Sequence, residues 1–122
     1  MRTEIKGRNV EITDELREQV LSRFKRVGRQ VGEMATLEVT LAEERNAAIP
    51  DREFAEANLY LKGVTLHAEE SAPEMIHAIH ELAEDIRRQV KKHRDKRRAR
   101  TKARRAAREL RNSLGERGME AL

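Results

Sequence analysis

Apolar residues first recur with a helical period: Leu16, Val20, Phe24, Val27 and Val31 follow one another at spacings of three and four. Thr13 stands ahead of them as an N-cap, and Asp14 and Glu15 occupy the first turn, where carboxylates suit the positive end of the helix dipole. The spacing predicts a helix from Thr13 to about Gly32. Gly28 lies within its last turns and weakens them by about 1 kcal/mol relative to alanine. Thr3 to Lys6 precede this helix as a short strand. After Gly32 the period changes to two. Leu37, Val39 and Leu41 alternate with Glu38 and Thr40, and beyond a polar loop holding Asn46 and Pro50, Ala55, Ala57, Leu59 and Leu61 alternate with Glu56, Asn58, Tyr60 and Lys62. Gly63 is the turn into a fourth strand, Val64 to Glu69, with Leu66 and Ala68 on its apolar face.

Ser71-Ala72-Pro73-Glu74 reads as a capping box opening a second helix. Its buried face is Met75 or Ile76, then Ile79, Leu82 with Ala83, Ile86 and Val90. The apolar stripe stops there, although neither Gly nor Pro appears before Gly115. Alanines at 99, 103, 106 and 107 favour helix while crowded arginines oppose it, so residues past about Lys96 are expected to fray until a partner neutralises them. The order β-α-β-β-β-α predicts an α+β fold: a four-stranded sheet, its first two strands parallel across a helical crossover, with both helices on one face. Thr36, Glu38, Thr40, Glu56, Asn58, Tyr60 and Lys62 fall on the other face, which is polar and too acidic to be the main phosphate-binding surface.

Charge divides the chain differently from hydrophobicity. Arg87 to Arg111 hold fourteen Lys and Arg against Asp95 and Glu109, a local charge of +12 in a chain whose total is +4. The remaining residues hold twelve basic and twenty acidic side chains, a net of −8. A block this concentrated calls for a polyanion, and nucleic acid is the usual one. The 122 residues form one domain, 1–96, with a basic extension, 97–122, helical or disordered. No apolar run approaches a membrane span, and Met1-Arg2-Thr3-Glu4 opens without a hydrophobic signal region, so a cytoplasmic protein without a membrane partner is expected. Zero cysteines remove disulfides, a thiol nucleophile and Cys-based zinc sites.

Three aromatic side chains, Phe24, Phe54 and Tyr60, leave Tyr60 alone to stack a base on the open sheet face. RNA read through its backbone fits better than single-strand reading, with affinity that falls steeply with salt. His77, His80 and Glu81 offer two imidazoles one helical turn apart, but lack a third ligand at a typical spacing. The clustered carboxylates Glu43, Glu44 and Glu81, Glu84, Asp85 are ordinary exposed charge. The chain is therefore expected to be no enzyme, with no catalytic residue, no metal, no cofactor and no small-molecule substrate. It is expected to be a monomer when free, because the core uses up its apolar stripes.

Three segments then become specific. Gly7-Arg8-Asn9-Val10-Glu11-Ile12-Thr13-Asp14-Glu15-Leu16-Arg17-Glu18, Leu59-Tyr60-Leu61-Lys62-Gly63 leading to Leu66-His67-Ala68, and Arg88-Gln89-Val90-Lys91-Lys92-His93-Arg94-Asp95-Lys96 together resemble the ribosome hibernation promoting factor family, which includes the ribosome-associated inhibitor proteins. The resemblance covers about residues 1 to 96. It implies a fold similar to double-stranded RNA-binding domains and a factor bound to the small ribosomal subunit in the mRNA and tRNA channel, where it blocks initiation sterically under stress. It also implies RNA contacts from Arg23, Arg26 and Arg29 on the first helix and from Arg88, Lys91, Lys92, Arg94 and Lys96 on the second, which Arg97 and Arg98 extend into the basic block. Asp85 stands where a lysine is common in that family. Nothing resembles the second domain of its long members, so a short form is expected that does not pair ribosomes by itself. The alternative is a general backbone-reading RNA- or DNA-binding module with no ribosomal role.

Overall fold

A computed structural model of the protein describes residues 1–120, with side chains to residue 115; residues 121 and 122 of the expected extension lie outside the described residues. Seven elements follow in chain order: β1 (Arg2–Arg8), α1 (Asp14–Arg23), α2 (Lys25–Val31), β2 (Thr36–Glu43), β3 (Glu53–Leu61), β4 (Val64–Ala72) and α3 (Met75–Glu120). The chain divides into two compact units, Met1–Val90 and the remainder from Lys91.

The first unit carries the sheet, in the order β1-β2-β3-β4. β1 runs parallel to β2, with Ile5 opposite Val39. β2–β3 and β3–β4 are antiparallel, with Leu37 opposite Leu59 and Ala57 opposite Ala68. The alternation fixes this register, because Leu37, Val39, Leu41, Ala55, Ala57 and Leu59 are all fully buried while their neighbours are not. They meet Val20, Phe24 and Val27 from the crossover and Ala78, Ile79, Leu82, Ile86 and Val90 from α3 in one core. This is the expected β-α-β-β-β-α fold, with helices on one face. Of the two candidates at the start of the second helix, Met75 is buried and Ile76 is 40% exposed.

Two glycines have local reasons. Gly63 takes φ +79° in the β3–β4 turn, a left-handed conformation that costs glycine little. A Cβ on Gly7 would run into the Val10 carbonyl oxygen, so the chain can turn back tightly after β1 only with glycine there.

The structure differs from the sequence reading at two helix ends. The expected single helix of residues 13 to 32 is two segments meeting at Phe24, whose backbone sits at φ −91°, ψ 2°. Phe24 is 1% exposed, so the break falls at the most deeply seated ring of the crossover and not at Gly28. The hydrogen-bond ladder still runs through it: the Phe24 N–H donates to the Val20 carbonyl at 3.0 Å and the Gly28 N–H to the Phe24 carbonyl at 3.0 Å. The capping box of Ser71 and Glu74 does not form. Ser71 is paired with Phe54 inside β4, which extends to Ala72, and the Glu74 carbonyl accepts the first helical bond, from the Ala78 N–H at 3.1 Å. Strand pairing claims the residue that local sequence assigned to the cap. Thr13 does cap α1, its Oγ1 accepting from the Leu16 N–H at 3.2 Å.

The second unit is the rest of α3, which remains helical to Glu120. Its residues from Asp95 to Gly115 are exposed. Leu110 and Leu114 are 62% and 56% exposed, so the assigned core does not consume every apolar side chain.

Candidate RNA-binding surface

Because α1 and α2 lie beside the first turns of α3 on one sheet face, the flanks of these helices form a groove within the first unit. Ser22, Arg23, Arg26 and Val27 line one wall and His80, Ala83, Glu84 and Arg87 the other, around an open volume of about 220 Å³. Arg23 and Arg26 are exposed, and their guanidinium groups lie off the buried stripe of Val20, Phe24 and Val27. Across the groove, Arg87 Nη2 donates to Glu84 Oε2 at 2.9 Å. That bond holds the Glu84 carboxyl below its ordinary value, with partial burial opposing and the positive charge of Arg87 adding to the effect. Arg87 Nε is buried with no hydrogen-bond partner among the described residues, leaving a donor beside the groove.

Arg88, the sequence-derived candidate, does not line this groove. Its charge bears on Glu70 of β4, and Glu70 is raised above its ordinary value by burial first, then by a hydrogen bond with Asp85 and by the charges of Asp85 and Glu81, with Arg88 opposing. Gln89 binds the same flank, donating from Nε2 to the His67 carbonyl at 2.7 Å and to Asp85 Oδ1 at 3.0 Å. Sequence reasoning passed over Arg87 because the apolar stripe shows which residues face the sheet but not which flank faces the other helix. Arg29 is exposed on α2, outside the groove-lining set.

The remaining candidates belong to the second unit. Lys91, Lys92, Lys96, Arg97 and Arg98 are exposed, and Arg94 is half-buried with its Nε lacking a partner among the described residues. Arg94, Arg97, Arg98, Thr101, Lys102 and Arg105 border one continuous surface of this helix.

The open sheet face has a different character. Tyr60 donates to Glu38 Oε2 at 3.0 Å, a bond that raises the phenol above its usual range. His67 sits between Asn58 Oδ1 at 2.7 Å from Nδ1 and Glu69 Oε1 at 3.2 Å from Nε2. With Glu56 opposite Glu69, this face gathers carboxylates and suits phosphate poorly. Glu56, His67 and Glu69 are also the group whose ligand atoms lie within 4.8 Å of one another, whereas His77 pairs with Glu81 at 3.6 Å and His80 turns to the groove.

Residues 3–98 match the family model described as sigma 54 modulation protein / S30EA ribosomal protein. The chain belongs to that family. Among S30EA relatives, the ribosome hibernation promoting factor of Acinetobacter guillouiae is 29% identical over 77% of this chain and 88% of its own length. The factor of the same name from Escherichia coli strain K12 is 33% identical, covering 78% of this chain and 95% of its own. The crystal structure of the Thermus thermophilus Protein Y N-terminal domain superposes with a TM-score of 0.66 at 26% identity, over 76% of this chain and 99% of that one. The three segments quoted from the sequence all fall within the stretch matched to the S30EA family, which ends at residue 98, inside the arginine-rich block. No helix among the described residues is long and apolar enough to cross a membrane.

Proposed function

We propose that this protein is a cytoplasmic ribosome hibernation factor that binds the small ribosomal subunit in the channel used by mRNA and tRNA and excludes both. The observation that carries the reading is the cationic groove of Arg23, Arg26 and Arg87 on a fold belonging to a family whose relatives are named for ribosome hibernation. Folded rRNA presents phosphates at fixed positions, and guanidinium groups on three helical segments packed on one sheet suit such an array without reading bases. Arg29, Arg88, Lys91, Lys92, Arg94, Lys96, Arg97 and Arg98 complete the phosphate contacts in this reading. Inhibition is by occupancy: no bond is made or broken, and the acidic open face of the sheet turns away from the RNA. The free protein is a monomer.

Co-sedimentation with separated small and large subunits at near-physiological salt, with an unrelated structured RNA as competitor, tests this reading. Stoichiometric, competitor-resistant binding to the small subunit is expected. Equal binding to both subunits that the competitor strips would instead identify a general backbone-reading module. Reversal of Lys91 and Lys92 to Glu is expected to weaken subunit binding at least tenfold.

A further inference from the structure

The family match ends at residue 98, yet α3 stays helical to Glu120, and a difference between its two sides that begins within the match continues beyond it. Arg94, Arg97, Arg98, Lys102, Arg105 and Arg108 follow spacings of three and four with one step of one, which places them along one side of a helix. Ala99, Ala103, Ala106, Leu110 and Leu114 repeat at the same spacings on the opposite side. From Asp95 to Gly115 every residue of both sides is exposed. At 1.5 Å per residue the cationic stripe from Arg94 to Arg108 is about 21 Å long.

We infer that this stripe is a second RNA-binding element, separate from the groove of the first unit, which lays its guanidinium and ammonium groups along the phosphates of a structured RNA. Charge complementarity selects the partner. Six cations share one side, with Asp95 at one end of the stripe and Glu109 at the other as the nearby carboxylates, and the cations between them repel one another unless a polyanion lies against them. The opposite side points away from a membrane as partner: a helix that inserts at a lipid interface carries Leu, Phe or Trp on its apolar side, and here three of five positions are alanine. Alanine instead supplies the strongest intrinsic helix propensity, which offsets arginine repulsion and keeps the helix narrow where RNA phosphates approach from more than one direction. The inference rests on the ribosomal reading only for taking RNA as the polyanion; it does not depend on which part of the subunit is bound.

The test uses the full-length chain with Arg97→Gln, Arg98→Gln, Lys102→Gln, Arg105→Gln and Arg108→Gln combined, against a naked RNA hairpin. Gln is close to Arg and Lys in helix propensity, so the far-UV circular dichroism is expected to stay unchanged. The slope of log K against log salt is expected to fall in magnitude by about 3.5 to 4.5, at 0.7 to 0.9 for each phosphate no longer neutralised. An unchanged slope overturns the inference. A second variant, Leu110→Gln with Leu114→Gln, is expected to bind the hairpin as the parent does. Loss of binding in that variant alone, tighter binding to a DNA hairpin than to the RNA one, or tight binding of the parent to phosphatidylserine vesicles would each overturn it in favour of a different partner. Because the probe is a free hairpin, absence of small-subunit preference in the co-sedimentation experiment leaves this result intact, and the reverse also holds.

Discussion

Arg87 and Glu84 are joined by a 2.9 Å hydrogen bond one turn apart on α3, so the arginine that faces the crossover helices is held in place by a carboxylate in the same groove. The carboxylate orients the guanidinium and also repels phosphate. Glu84→Gln is therefore expected to raise affinity for structured RNA several-fold and to steepen its salt dependence, as read by filter binding across a salt series. The pair's own effect on stability is small, since both side chains are about one third exposed. Its sign follows from the lowered Glu84 carboxyl: the contribution is present above the unfolded value of 4.5 and is lost as pH falls through the folded value below it.

Glu70 behaves oppositely. Burial and the neighbouring Asp85 raise its carboxyl above 4.5, so the folded state holds a proton that the unfolded chain releases first. Stability contributed by that proton is present at low pH and is lost as pH rises through the raised folded value. Glu70→Gln is expected to raise the thermal midpoint at pH 7, with the difference from the parent closing as pH falls below about 4.5. Thermal melts of both proteins between pH 4 and pH 8, on the order of six points, resolve this.

Gly28 lies inside α2, and a Cβ placed there meets Met1 Cε at 3.4 Å, an ordinary contact. Gly28→Ala should stabilise the protein by about 0.5 to 1 kcal/mol through helix propensity and reduced freedom of the unfolded chain. Thr13→Ala should cost about 1 kcal/mol, because it removes the acceptor for the Leu16 N–H. Urea unfolding of the two variants compares them directly, and a destabilised Gly28→Ala would mean that the crossover needs glycine for a reason other than propensity.

Arg23→Glu with Arg26→Glu, on the groove wall, is expected to reduce small-subunit binding at least tenfold, whereas Lys62→Glu, in the exposed β3–β4 turn and outside the groove-lining set, should leave it within twofold. Equal losses would indicate an effect of net charge and not of the groove.

The sheet was legible because period-two alternation and burial express the same constraint: Leu37, Val39, Leu41, Ala55, Ala57 and Leu59 are the alternating apolar residues and also the fully buried ones. The helix ends were less legible, since they depend on competition between local and distant partners. Ser71 has the side chain of a cap, but cross-strand pairing with Phe54 takes its backbone first. Phe24 interrupts its helix through the seat of its ring in the core, a tertiary property that single-residue propensities do not carry. For the site, the sequence singled out Arg23 and Arg26, which line the groove, and chose Arg88 over Arg87. Adjacent residues on a helix point about 100° apart, so one position decides between the crossover flank and the β4 flank.

That β4 flank has its own consequence. β4 is an edge strand of the sheet, and an unpaired strand edge is a template on which a foreign chain can add itself. The Gln89 side chain occupies the His67 carbonyl there and is steadied in turn by Asp85. A single amide thus ties α3 to the sheet edge and denies one rung of that edge to a recruiting strand, so that Gln89→Ala should favour self-association at high protein concentration before it affects RNA binding.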